Sequence, residues 1–156
     1  MQKFLSNLQE AERKIQTADH MAYVTYPLIK DKRILLKILT ETKNAIASCI
    51  NSILQYEYLY KRINLYQNPK ANFETFINKS SKRFDINNIE IKAILDIFEI
   101  IELHKQSPME FVRNEKVIIM NGNSLFREIT LEKTKEFLSL SKNILQKTKN
   151  KILGKI

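Results

Sequence analysis

The chain of 156 residues, 44% hydrophobic and 28% charged, has room for one globular domain and little more. It carries 26 Lys and Arg against 17 Asp and Glu, a formal charge of +9 that points to an anionic partner without naming one. Two Gly and three Pro exclude collagen-like and flexible low-complexity chains and argue against an all-β sandwich. With Gly122 and Gly154 as the only glycines, neither a P-loop nor a dinucleotide-binding glycine fingerprint can be written.

Cys49 has no second cysteine to pair with, and reads as a small core residue in a reducing compartment. His20 and His104 lie far apart without partners at metal-ligand spacing, so no metal and no other cofactor is expected. The chain opens without a signal-like apolar stretch. Its densest apolar run, residues 89–103, is broken by Glu90, Lys92, Asp96, Glu99 and Glu102, far short of the roughly 18 apolar residues that span a bilayer. A cytoplasmic protein with no membrane partner is expected. The excess of Lys over Arg, together with abundant Ile and Asn, also reads as the mark of an AT-rich genome, which lowers the weight of the net charge.

In chain order, Phe4, Leu8, Ala11, Ile15, Ala18 and Ala22 form one helical stripe that runs to about Val24, and Pro27 marks a break. Asp31 is an N-cap for a long second helix with Leu35, Ile38, Leu39, Ala45, Ile46, Cys49, Ile53, Tyr56 and Tyr60 on its core face. Residues 64–72, with Pro69 and several amides, read as the loop that ends it. Residues 73–84 form a short helix with Phe73, Phe76, Ile77 and Phe84 on one side and a basic opposite side. A capping box, Asn87 with Glu90, and a staple of Ile86 on Ile91 start the next helix, which runs to about Lys105. Apolar residues circle it except for a stripe through Lys92, Asp96 and Glu99, and it is expected to be the most buried element.

Beyond Ser107-Pro108 the period changes. Residues 117–120, Asn121-Gly122 and residues 125–129 read as a β-hairpin whose apolar side must pack on the bundle or on a partner. A two-residue turn would set Lys116 against Arg127, and a four-residue loop would avoid that repulsion. Thr130 caps a last helix that buries Phe137, Leu138, Ile144, Leu145 and Ile152. The expected fold is mainly α: one domain over residues 1–156, a helical bundle of four to five helices, with one hairpin at about 115–129 before a basic helix at about 131–153.

The positive charge is concentrated in two segments. Residues 61–83 hold Lys61, Arg62, Lys70, Lys79, Lys82 and Arg83 against Glu74 alone, giving +5. After Glu136 come Lys142, Lys147, Lys149, Lys151 and Lys155 with no acid, another +5. Such segments can hold phosphates with a steep salt dependence, or simply coat and solubilise an Ile-rich chain. Tyr56, Tyr58, Tyr60 and Tyr66 flank Lys61 and Arg62, and aromatics interleaved with bases can stack on unpaired nucleotides. At helical spacing, however, Tyr56 and Tyr60 continue the core stripe.

Arg13 and His20 are two turns apart on the outer face of the first helix. A His able to exchange the 2′-hydroxyl proton beside an Arg able to hold charge on phosphorus suits RNA cleavage. The run Arg13-Lys14-Ile15-Gln16-Thr17-Ala18-Asp19-His20 resembles the ribonuclease motif of HEPN domains, Arg followed by four to six residues and His. That resemblance implies a small helical bundle that dimerises and cuts RNA without metal, with Arg13 and His20 as its catalytic pair. Lys14 stands where that family usually has Asn, Asp or His, and the motif lies here in the first helix rather than a later one. The segment from Asp19 to Asp31, with residues 56–62, also resembles small uncharacterised archaeal helical proteins, which implies no activity. His104 reads as a solvated helix end, and Asp96 and Glu99 as a polar stripe.

The leading expectation is a non-enzymatic basic module that associates with RNA, alone or within a larger complex. A HEPN-like metal-independent ribonuclease or toxin, and a protein-interaction or self-assembly module joined through the hairpin as a homodimer or with another protein, are the alternatives.

Overall fold

The computed structural model describes residues 2–106, 109–113, 116–120 and 126–154, and at 109–113, 120 and 126 the backbone alone. Five helical bodies and one three-stranded sheet make up this part of the chain. α1 (Lys3–His20) runs through a π-helical turn at Met21–Thr25 into α2 (Tyr26–Ile29). α3 is Arg33–Leu59. α4 (Pro69–Thr75) continues through a second π turn, Phe76–Ser80, into α5 (Ser81–Arg83). α6 is Asn88–Gln106, and α7 is Leu131–Ile152. Between them lie β1 (Met109–Arg113), β2 (Lys116–Met120) and β3 (Phe126–Ile129).

Pro27 does not break the first helix. Proline removes a helical donor and crowds the preceding turn. The wider π turn just before it, in which the Tyr26 N–H reaches back to the Met21 carbonyl, lets the helix carry on for another turn. The stop comes at Lys30, in the left-handed region at φ 57°. Lys32 holds the N-cap position of α3, and Asp31, one residue earlier than that cap, closes the start of the helix: its carboxylate accepts the Arg33 N–H at 3.0 Å and its carbonyl accepts the Ile34 N–H. α3 folds back along α1, so that Ser52 near its end donates to the Phe4 carbonyl at 2.7 Å. Ala11 and Ala18 of α1, with Ala45 of α3, are wholly buried.

The central helix is α3, not α6. Its core stripe from Leu35 to Ile53 is sealed, whereas α6 leaves Ile89 79% and Leu95 43% exposed. Counting apolar residues around α6 overstates its burial because, among the described residues, nothing covers the side that carries Ile89 and Leu95. Pro69, read as part of a loop, is the first residue of α4; Asn68 caps that helix by accepting the Lys70 N–H.

The capping box at α6 forms as expected, with Glu90 N–H on Asn87 at 2.9 Å and Asn87 N–H on Glu90 at 3.0 Å. Glu90 is itself buried and also takes Lys147 and Asn143 of α7, tying the start of one helix to the side of another. Thr130 caps α7 through the Lys133 N–H.

The hairpin is two strands of a three-stranded antiparallel sheet in the order β1-β2-β3. β1 went unread because residues 109–113 show no strict alternation of apolar and polar side chains. The register pairs Val117 with Ile129, Ile119 with Arg127 and Met120 with Phe126, leaving five residues between the strands. That spacing takes Lys116 away from Arg127, and Lys116 bonds Glu128 instead at 3.1 Å. The Asn121-Gly122 turn itself lies outside the described residues. Val117, Ile119 and Ile129 share one face and are buried on α6 and α3, so the chain covers its own ribbon. Arg127 lies on that same inward face and ion-pairs with Asp96 and Glu99, with Lys133 at 3.3 Å on the other Asp96 oxygen. The polar stripe of α6 is the dock for the sheet.

Candidate functional site

Two helix ends meet at one place on the surface. α3 ends in a left-handed turn at Lys61 (φ 60°), with Arg62 N–H returning to the Glu57 carbonyl and Lys61 N–H to that of Tyr58. α5 ends in the same way at Asp85 (φ 59°), with Ile86 N–H on Ser81 and Asp85 N–H on Lys82. Glycine normally fills such positions because it has no Cβ to clash. Neither is glycine here, and the two turns set Arg62 and Arg83 on either side of Glu57.

Glu57 is completely buried. Its Oε1 accepts the Arg83 Nε–H at 2.6 Å and lies 2.5 Å from Arg83 Nη2 in an ion pair, and its Oε2 accepts Arg62 Nη1 at 3.1 Å. The arginine side chains remain 40% and 46% exposed, so each shows an unused edge to solvent. Arg62 also lies over the rings of Tyr60 and Tyr56, 5.7 and 6.0 Å from their centres. These residues open onto a cleft of about 550 Å³ lined by Tyr56, Arg62, Lys82, Arg83, Phe84, Asp85 and Lys151. Two larger recesses, of 640 and 680 Å³, are lined chiefly by apolar and amide side chains; Lys70 borders the first, Lys3 and Lys61 the second.

The ten basic residues singled out from the sequence therefore divide. Arg62, Lys82, Arg83 and Lys151 converge on the cleft. Lys61, Lys70 and Lys79 are exposed and make no ion pair among the described residues. Lys142, Lys147 and Lys149 hold helices together through Asp19, Glu90 and Glu12. The aromatic run divides too: Tyr56 is half-buried against Phe4 and Phe84, while Tyr60, expected in the core, is 56% exposed.

Arg13 and His20 both face outward, as their spacing indicates. The Arg13 guanidinium is paired with Glu10, and neither residue lines the 550, 640 and 680 Å³ recesses above or the 280 Å³ recess at His104. His20 is not at a free helix end, since the helix continues through the π turn. His104 is half-buried rather than solvated and lines a 280 Å³ recess with Thr17, Met21 and Leu36. Cys49 is sealed in the core, where burial pushes its thiol up to about 12 against the opposing pull of Lys149 and Thr148. Among the described residues no group of three His, Cys, Asp or Glu is placed to hold a metal, and no described helix is long and apolar enough to cross a membrane.

Glu57 was the residue missed. It lies four positions after Ile53 and seven after Ile50, on the buried stripe itself, and an acid on that stripe beside two arginine-bearing turns was the available signal. Compared with known protein families, with curated proteins and with solved structures, the chain matches none.

Proposed function

We propose that this chain is a non-enzymatic, basic helical-bundle module that associates with RNA, with the Arg62–Arg83 cleft as its main phosphate contact. The observation that carries this reading is the convergence of four cations on one cleft, two of them fixed by a buried carboxylate. Arginines held in this way lose little side-chain freedom when they take a phosphate, and guanidinium forks match its oxygens. Exposed Lys61, next to Arg62, and Lys79, in the turn that leads to α5, extend the positive surface. The lysines that tie α7 to α1 and α6 contribute to the fold instead.

A titration of labelled single-stranded RNA at two salt concentrations, in EDTA, tests this. Binding should weaken steeply with salt, by about 0.7 in log–log slope for each phosphate neutralised, and the RNA should remain intact. Cleavage in EDTA that disappears in His20→Ala would replace this reading with the HEPN-like ribonuclease. Absence of binding at low salt would leave the protein-interaction module.

A further inference from the structure

We propose that the cleft is selective for a terminal phosphomonoester of an RNA strand over an internal phosphodiester. This rests on the RNA reading and specifies its ligand. Arg83 donates its Nε–H to Glu57 with Nη2 in ion-pair contact with the same oxygen, and Arg62 donates from Nη1, so most of the five N–H groups of each guanidinium are not committed to Glu57. The unused edges belong to two guanidiniums fixed by one carboxylate, which suits one multiply accepting oxoanion better than an extended backbone.

Charge points the same way. Arg62, Lys82, Arg83 and Lys151 against Glu57 and Asp85 leave the cleft at +2. A phosphomonoester carries about −1.5 to −2 near pH 7, and an internal diester −1. The surroundings also offer little to successive bases: Phe84 is buried, Tyr56 is half-buried, and the Tyr60 ring already has Arg62 over it. A site with no run of open rings can discriminate through the phosphate itself. Glu57 acts here as a positioning residue, holding both guanidiniums while touching no ligand.

The test uses one short RNA sequence in three forms: 5′-phosphate, 3′-phosphate, and hydroxyl at both ends. One phosphorylated form should bind at least about ten-fold more tightly than the hydroxyl form, the size of one added charge-assisted hydrogen bond. Inorganic phosphate should erase that advantage. Arg83→Lys keeps the charge but removes the fork, so it should bring phosphorylated and hydroxyl-ended RNA to the same affinity, and a ten-fold end preference retained in this variant would overturn the proposal. Lys82→Gln, on an exposed side chain, is the second variant and should narrow the preference without disturbing the fold. Equal affinity for all three RNAs would overturn the end-specific proposal while the RNA reading stands. No binding of any of them would overturn both.

Discussion

Glu57 is an acid with no exposed surface, and what keeps it from destabilising the core is the pair of arginines at its two oxygens. The partners are unequal. Arg83 makes a 2.6 Å hydrogen bond and a 2.5 Å ion-pair contact to one oxygen, and Arg62 a single 3.1 Å bond to the other. Removing one partner leaves part of a buried carboxylate unsatisfied, which typically costs 1–3 kcal/mol or more for a charged group. Urea unfolding should therefore show Arg83→Ala destabilised by about 2 kcal/mol and Arg62→Ala by clearly less. Equal losses would mean that the closer Arg83 contacts are not what distinguishes the two arginines. At this scale the sequence was only partly legible. The charged segment around Arg62 and Arg83 is visible in the sequence, but the inward acid that joins them is not, because Arg83 lies 26 positions from Glu57 and the pairing exists only once α3 and α5 end side by side.

Among the elements, three helix ends enter the left-handed region without glycine, at Lys30, Lys61 and Asp85. A Cβ there costs about 1–2 kcal/mol, part of which a glycine would give back through its greater freedom when unfolded. Lys30→Gly, far from the cleft, should raise stability by up to about 1 kcal/mol, read as a higher urea midpoint at unchanged slope. A loss of stability would show that the Lys30 side chain contributes more than its strain removes. In a chain so poor in glycine these stops carried no sequence signal, which is why Pro27 and Pro69 were given the punctuation that the left-handed residues perform. Capping patterns were legible, because Asp31, Asn87, Glu90 and Thr130 act within a few residues of themselves. The dock of the sheet was not, because it joins Arg127 to Asp96 across 31 positions.

That dock has a pH signature. Partial burial opposes the charge on Asp96, but the hydrogen bond and charge of Arg127, with those of Lys133, outweigh it and hold the carboxyl below its ordinary value of 3.8. A carboxylate with a depressed native pKa stabilises fully above the unfolded value, and that contribution disappears as pH falls through the native one. The protection factors of β2 amides should accordingly fall below about pH 4, and Asp96→Asn should show the lower protection already at neutral pH. A wild-type sheet equally protected at pH 3 and pH 7 would contradict this. The contribution is modest, about 1 kcal/mol, since both partners are roughly a quarter to a third exposed.

Over the whole molecule, positive charge serves two purposes that composition cannot separate. Lys142 and Lys149 bridge α7 to Asp19 and Glu12 of α1, while Lys82 and Lys151 line the cleft, Lys151 only in a solvent-exposed 3.5 Å pair with Asp85 that contributes little to stability. All four read alike along the chain. Only the packing of α7 against α1 divides them, because a solvated lysine and a bridging one have the same local sequence. This division supplies the most direct test of the account. The salt dependence of single-stranded RNA binding should be measured for wild type, Lys82→Gln/Lys151→Gln and Lys142→Gln/Lys149→Gln, two double variants that remove the same charge. The cleft variant should keep the wild-type melting temperature and lose about 1.4 from the log–log slope, while the bridge variant should melt lower and keep the wild-type slope. Equal slopes in the cleft variant and wild type, or the same loss of slope in both variants, would contradict the cleft as the place where RNA phosphates bind.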